Sequence, residues 1–156
     1  ATHWIHEKQW AHTHHPTPKD RASYLKEDFA GLAESGLLKM VSGEHPAGLM
    51  PGLDWYLTHG HTPYHLQVVV GDADRRVVFS GDVIPTSAHL RAGWVMAYDL
   101  YPLTTLDEKQ KLARRAIEDG WLIAFPHDPK LSAVSLDGTV ERPIVSQTFD
   151  LVAGAD

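Results

Sequence analysis

Apolar and polar positions along this chain change period repeatedly, and the changes mark out short elements. Residues 37–41, 53–58, 66–70 and 77–80 are runs of β-branched, aromatic and other apolar residues that read as strands. Gly71-Asp72-Ala73-Asp74 joins the last two as a hairpin. Residues 1–5 read as a further short strand and 7–12 as a short helix. The prolines of His15-Pro16-Thr17-Pro18 break the pattern into a loop. Tyr24, Leu25, Phe29, Leu32 and Ala33 then return at helical spacing over 19–35, with Gly36 as a stop. The clearest helix covers 106–119, where Leu106, Leu112, Ala113, Ala116 and Ile117 form one stripe and Gly120 closes it. Thr105 and Glu108 stand at capping-box spacing before that helix. Residues 121–125 read as a buried strand, and 131–136 and 139–142 flank an Asp137-Gly138 turn. Strands in hairpins mixed with helices predict an α+β or mixed layer: a mostly antiparallel sheet backed by helices.

Composition narrows the class. A chain of 156 residues, 43% hydrophobic and 22% charged, suits one globular domain over 1–156. The net charge of −6 and the lack of any Lys/Arg run argue against nucleic acid as a partner. No apolar run approaches a membrane span, and Ala1-Thr2-His3-Trp4 does not have the character of a leader. Cys is absent, which suits a reducing, cytoplasmic setting and leaves only imidazole and carboxylate to hold a metal. The 11 His residues supply the first in quantity.

The chemistry concentrates at the ends of three strands. Thr58-His59-Gly60-His61-Thr62-Pro63-Tyr64-His65 turns sharply between two of them, Phe79-Ser80-Gly81-Asp82 ends the next, and Phe125-Pro126-His127-Asp128 ends a third. Loops at strand ends, stiffened by Gly and Pro, can aim His65, Asp82 and His127 into one cavity, where a carboxylate can bridge two cations. His59 and His61 read as ring N–H donors behind the ligands. His12, His14 and His15 read as a solvated loop. Tyr98 is the one candidate to polarise a substrate carbonyl.

These residues resemble the metallo-β-lactamase-fold hydrolase superfamily. Residues 58–65 are similar to its T-P-G-H-T-P-G-H segment, Phe79-Ser80-Gly81-Asp82 to its F-x-G-D motif, and Phe125-Pro126-His127-Asp128 to its last His motif. The resemblance implies a four-layer αββα sandwich of two similar halves. It implies zinc, with manganese or iron as other cations, bound by His65 and His127 and bridged by Asp82. It implies a hydrolase that cleaves an ester, lactone, thioester or phosphoester with metal-activated water. The superfamily's H-x-H-x-D-H motif has no counterpart here. The chain is therefore expected to be the C-terminal half of the fold, with 1–52 as a middle segment and 53–156 as the ligand-bearing half. Its expected partner is an N-terminal half or a swapped copy of itself, and the isolated chain is expected to be inactive. The competing expectation is a non-catalytic half-domain that binds a metal or a partner chain. Specificity for a small-molecule substrate would lie in loops 42–52 and 84–94.

Overall fold

The computed structural model describes residues 1–44, 50–73 and 75–150. Part of the 42–52 loop and Asp74 of the 71–74 turn lie outside them.

Two sheets form. In the first, β1 (His3–His6) and β2 (Leu38–Val41) pair in parallel, with α1 (Glu7–His14) and α2 (Lys26–Glu34) on the chain between them. A 3₁₀ turn at Arg21–Ser23 separates the two helices, so the helical pattern over 19–35 splits into two pieces. The second sheet is open, with six strands in sequence order: β3 (Leu53–Thr58), β4 (His65–Gly71), β5 (Arg76–Phe79), β6 (Leu122–Ala124), β7 (Ala133–Gly138) and β8 (Pro143–Phe149). Every pair in it is antiparallel except β5–β6. A parallel pair needs a crossover, and residues 80–121 supply it with α3 (Pro102–Glu118).

The core follows from the register. Val69, Val78, Ile123 and Val134 stand side by side across four strands, each at most 3% exposed. Helix α3 lays Leu112, Ala113 and Ala116 against them, and Val83 and Ile84 close one end. Each buried Val, Leu or Ile contributes roughly 1.5–3 kcal/mol through surface removed from water. The opposite face carries Trp55, Val68, Phe79, Ala124 and Ala133 in one cross-strand row. Trp4 of β1 rests against Trp55, with ring centroids 6.0 Å apart, but Val70 and Phe79 on that face stay about half exposed.

Two local expectations change. Helix α3 starts four residues early, at Pro102, whose missing N–H costs nothing at a first helical position. Thr105 and Glu108 therefore lie inside the helix and form no capping box. Glu108 turns outward to other backbone groups, and the Thr105 hydroxyl donates to the Tyr101 carbonyl at 3.4 Å. The last hairpin turns later than Asp137-Gly138. Thr139 and Arg142 exchange backbone hydrogen bonds at 3.3 and 3.0 Å, leaving Val140-Glu141 as the loop. The last strand is thus 143–149, and its first residue, Pro143, is tolerated because β8 is an edge strand.

Candidate metal centre

The ends of β3, β5 and β6 meet at one edge of the large sheet. The turn after β3 is fixed from below. Leu100 and Tyr101 donate their amides to the carbonyls of His61 and Gly60 at 3.1 and 2.8 Å. Gly60 lies so close to α3 that a Cβ there would sit 2.2 Å from the Thr105 nitrogen. The turn after β5 is fixed by Ser80, whose hydroxyl donates to the Ile84 and Ala124 carbonyls at 2.7 and 2.9 Å. His127 donates its amide to the Pro85 carbonyl at 3.0 Å, which draws the third loop in.

This framework brings three side chains together: Asp82, His127 and His61. His127 Nε2 donates to Asp82 Oδ1 at 3.0 Å, and His61 Nε2 lies 3.2 Å from Asp82 Oδ2. The other ring nitrogen of His61 donates to Asp99 Oδ1 at 2.9 Å, and the Asp99 side chain is fully buried. A carboxylate behind an imidazole fixes the tautomer and the ring plane of a metal-binding histidine. Burial pushes the His61 pKa down, but the hydrogen bonds to Asp82 and Asp99 outweigh it and hold it at about 9. The same contact with His61 lowers the Asp82 pKa.

His65 is placed differently. Its ring lies against Gly81, where a Cβ would come within 2.5 Å of Cε1, and its Nδ1 is 3.4 Å from Thr58 Oγ1 and 3.3 Å from Gln67 Nε2. Gly81 has φ +49°, so the close approach and the backbone both ask for glycine. Burial, helped by the charge on His61, pushes His65 down to about 4 and keeps it neutral. His59 faces away from Asp82: its Nδ1 accepts the Tyr64 amide at 3.2 Å, and its Nε2 is 3.8 Å from Glu44. Tyr64 has φ +61° and is held there by stacking on His6 with centroids 4.8 Å apart. His12 is not free in a solvated loop. It donates to buried Asp20 at 2.6 Å, and Thr17 donates to the same carboxylate at 2.7 Å.

A cleft of about 470 Å³ opens over this group. It is lined by His61, His65 and Asp82 together with Lys19, Ser23 and Tyr98. Lys19 donates to the Asp99 carbonyl. Tyr98 meets the His61 ring edge-on at 5.7 Å, and burial and the charges of Asp82 and Asp99 raise its pKa, so it remains a donor. A larger hollow of about 710 Å³ lies beside α3, but its charges are spent on pairs such as Arg76–Asp54 and Arg115–Asp119. Asp99 and Lys19 carry no sequence signal that separates them from other surface charges; only the fold brings them to His61.

The donors suit zinc in kind, two imidazoles on a carboxylate with an orienting carboxylate behind. They do not suffice in number: among the described residues no three His, Asp or Glu side chains form a group able to hold a metal ion.

The family model of the metallo-beta-lactamase superfamily matches residues 1–134. The chain belongs to that superfamily. Solved structures agree with this membership in fold. A probable metal-dependent hydrolase from Staphylococcus aureus is 24% identical, with a TM-score of 0.78, over 96% of this chain and 54% of its own. The hydrolase AbOPH in the beta lactamase superfamily is 19% identical, with a TM-score of 0.75, over 96% and 56%. AidC, a dizinc quorum-quenching lactonase in complex with a product N-hexnoyl-L-homoserine, is 13% identical, with a TM-score of 0.73, over 94% and 55%. The chain thus spans about half the length of these superfamily structures, and its open six-stranded sheet matches a half-fold. No curated protein matches it. No helix among the described residues is long and apolar enough to cross a membrane.

Proposed function

We propose that this chain carries the metal-binding floor of a hydrolase that cleaves an ester, lactone, thioester or phosphoester. The observation that supports it is Asp82, with His61 and His127 on separate oxygens and Asp99 behind His61. His61, Asp82 and His127 would each contribute a ligand to an ion whose shell is completed from outside these residues, with His61 taking the role expected of His65. Zinc suits this set, and manganese or iron are the other cations it would accept. When bound, the metal supplies Lewis-acid polarisation and a more acidic water. Tyr98 would donate its hydroxyl to the substrate oxygen where charge develops, and Lys19 would place a positive charge at the rim.

The remaining donors would come from outside these residues, from an N-terminal half of the fold or a swapped copy. Supplied with them, the site turns over; alone, it has little or no activity. The test is zinc titration by calorimetry, followed by assays on lactone, aryl ester and phosphotriester substrates with and without a superfamily-type N-terminal half. Asp82→Ala and His127→Ala should each weaken zinc binding, and Asp82→Ala should abolish turnover in the active complex. Wild-type zinc affinity in both variants would sink the proposal.

One observation favours a second reading. Since no three described donors close a metal shell, the chain could serve as a non-catalytic half that binds a metal or a partner. Zinc binding with no turnover in any complex would decide for it.

A further inference from the structure

Helix α3 gives no donor to the cleft, yet two consecutive residues on it grip the two loops that orient His61. The Glu108 carboxylate accepts the His59 amide at 2.5 Å on one oxygen and the Gly60 amide at 3.0 Å on the other. These are the two backbone groups just before His61. Lys109 is 2% exposed, and its ammonium donates to the carbonyls of Arg91, Ala92 and Trp94 at 2.8, 3.2 and 2.6 Å. Those carbonyls open the segment that ends in Tyr98 and Asp99. Consecutive helical residues point about 100° apart, so neighbouring positions can reach different loops. Burial pushes the Lys109 pKa down to about 8, with the Asp99 charge opposing, so the ammonium is mostly charged at neutral pH and can donate.

Each grip matches charge to the loop's own backbone polarity: a carboxylate for two amides, an ammonium for three carbonyls. A charged partner makes a stronger and shorter hydrogen bond than a neutral one. The loops also bond to each other, through the Gly60 and His61 carbonyls and the Tyr101 and Leu100 amides. His61 and Asp99 therefore meet between two strands of backbone that are both anchored to one helix. Any shift of either loop changes the 2.9 Å contact between them.

The geometry points to Glu108 and Lys109 as positioning residues: together they set the His61 imidazole against Asp99 and Asp82. The role in metal affinity rests on the function proposed above; the role in ring geometry does not.

The test is NMR on the full chain with ¹⁵N-labelled histidine, in wild type, Glu108→Gln and Lys109→Met, with Lys111→Met on the same helix as control. Wild type should show a slowly exchanging Nδ1 proton on His61, bonded to Asp99. Both variants should lose or broaden that signal while the His65 ring signals stay close to wild type, with a cooperative melting transition confirming that each variant is folded. Zinc affinity should fall about 10- to 100-fold, as when an orienting partner of a ligand is removed. Glu108→Gln keeps one acceptor oxygen and the same volume, so it decides the matter if Lys109→Met does not fold. An unchanged His61 signal in folded Glu108→Gln and Lys109→Met overturns the inference, as does its absence from wild type. If the signal responds as expected but wild type takes up no zinc, the positioning role stands and the metal reading falls.

Discussion

At the scale of single residues, the site depends on close approaches that leave no room for adjustment. A methyl group at Gly60 would overlap the backbone nitrogen of Thr105 at 2.2 Å, and no side-chain rotation relieves a clash with backbone. Gly60→Ala should cost about 1–3 kcal/mol in urea unfolding and weaken zinc binding by displacing His61. Equal stability and equal zinc affinity in that variant would contradict the packing described. The two histidines of the same turn should also separate by role. His61→Ala should lower zinc affinity more than His65→Ala, because His61 faces Asp82 whereas His65 Nδ1 is turned to Thr58 and Gln67. Calorimetric titration of the two variants side by side checks this order.

At the scale of elements, Asp128 ties the loop of β6 to the crossover. Burial pushes its carboxyl up, but the hydroxyl and amide of Ser87 and the amides of Lys130 and Leu131 hold it down at about 2. A depressed carboxyl stabilises the fold above its unfolded pKa, near 3.8, and that contribution is lost as pH falls through the folded value. Asp128→Asn should therefore cost on the order of 1 kcal/mol at pH 6, allowing for solvent screening. The gap from wild type should close between about pH 4 and pH 2 in acid melts; a gap independent of pH would speak against it. Elements with a strong period were legible in the sequence. The stripe of α3 and the apolar runs of β4, β5 and β6 sit where their patterns put them, because burial on one face writes itself into spacing. The Asp137-Gly138 turn misled, since Gly138 pairs with Pro143 inside the ladder and the loop follows it. Glu108 misled for a related reason: capping-box spacing is local, but its real partners are 48 and 49 residues away. The proximity of Asp82 and His127 was legible in their strand-end loops. Which histidine of 58–65 turns toward Asp82 was not, because Gly60, Gly81 and Asp99 settle that only in three dimensions.

At the scale of the whole molecule, the large sheet has one face covered by α3 and one covered in part. Val70 and Phe79 are half exposed on an apolar face that also carries Val68 and Trp55. An extended apolar face of this kind invites association. Size-exclusion chromatography with light scattering should give a mass above 17.3 kDa or require an added partner, and Phe79→Lys should reduce association with little effect on melting. A wild-type monomer that takes up no partner would refute this. The two sheets have a further consequence. Strands β1 and β2 share no backbone ladder with the six-stranded sheet, and the cleft's Lys19 side belongs to the segment between them. The Lys19 wall of the cleft is therefore expected to open separately from its floor. Native-state hydrogen exchange should show amides of β1 and β2 opening at lower free energy than those of Val78 and Ile123. The cleft would then breathe through partial unfolding of its rim, admitting bulky molecules for short intervals while the floor keeps its shape.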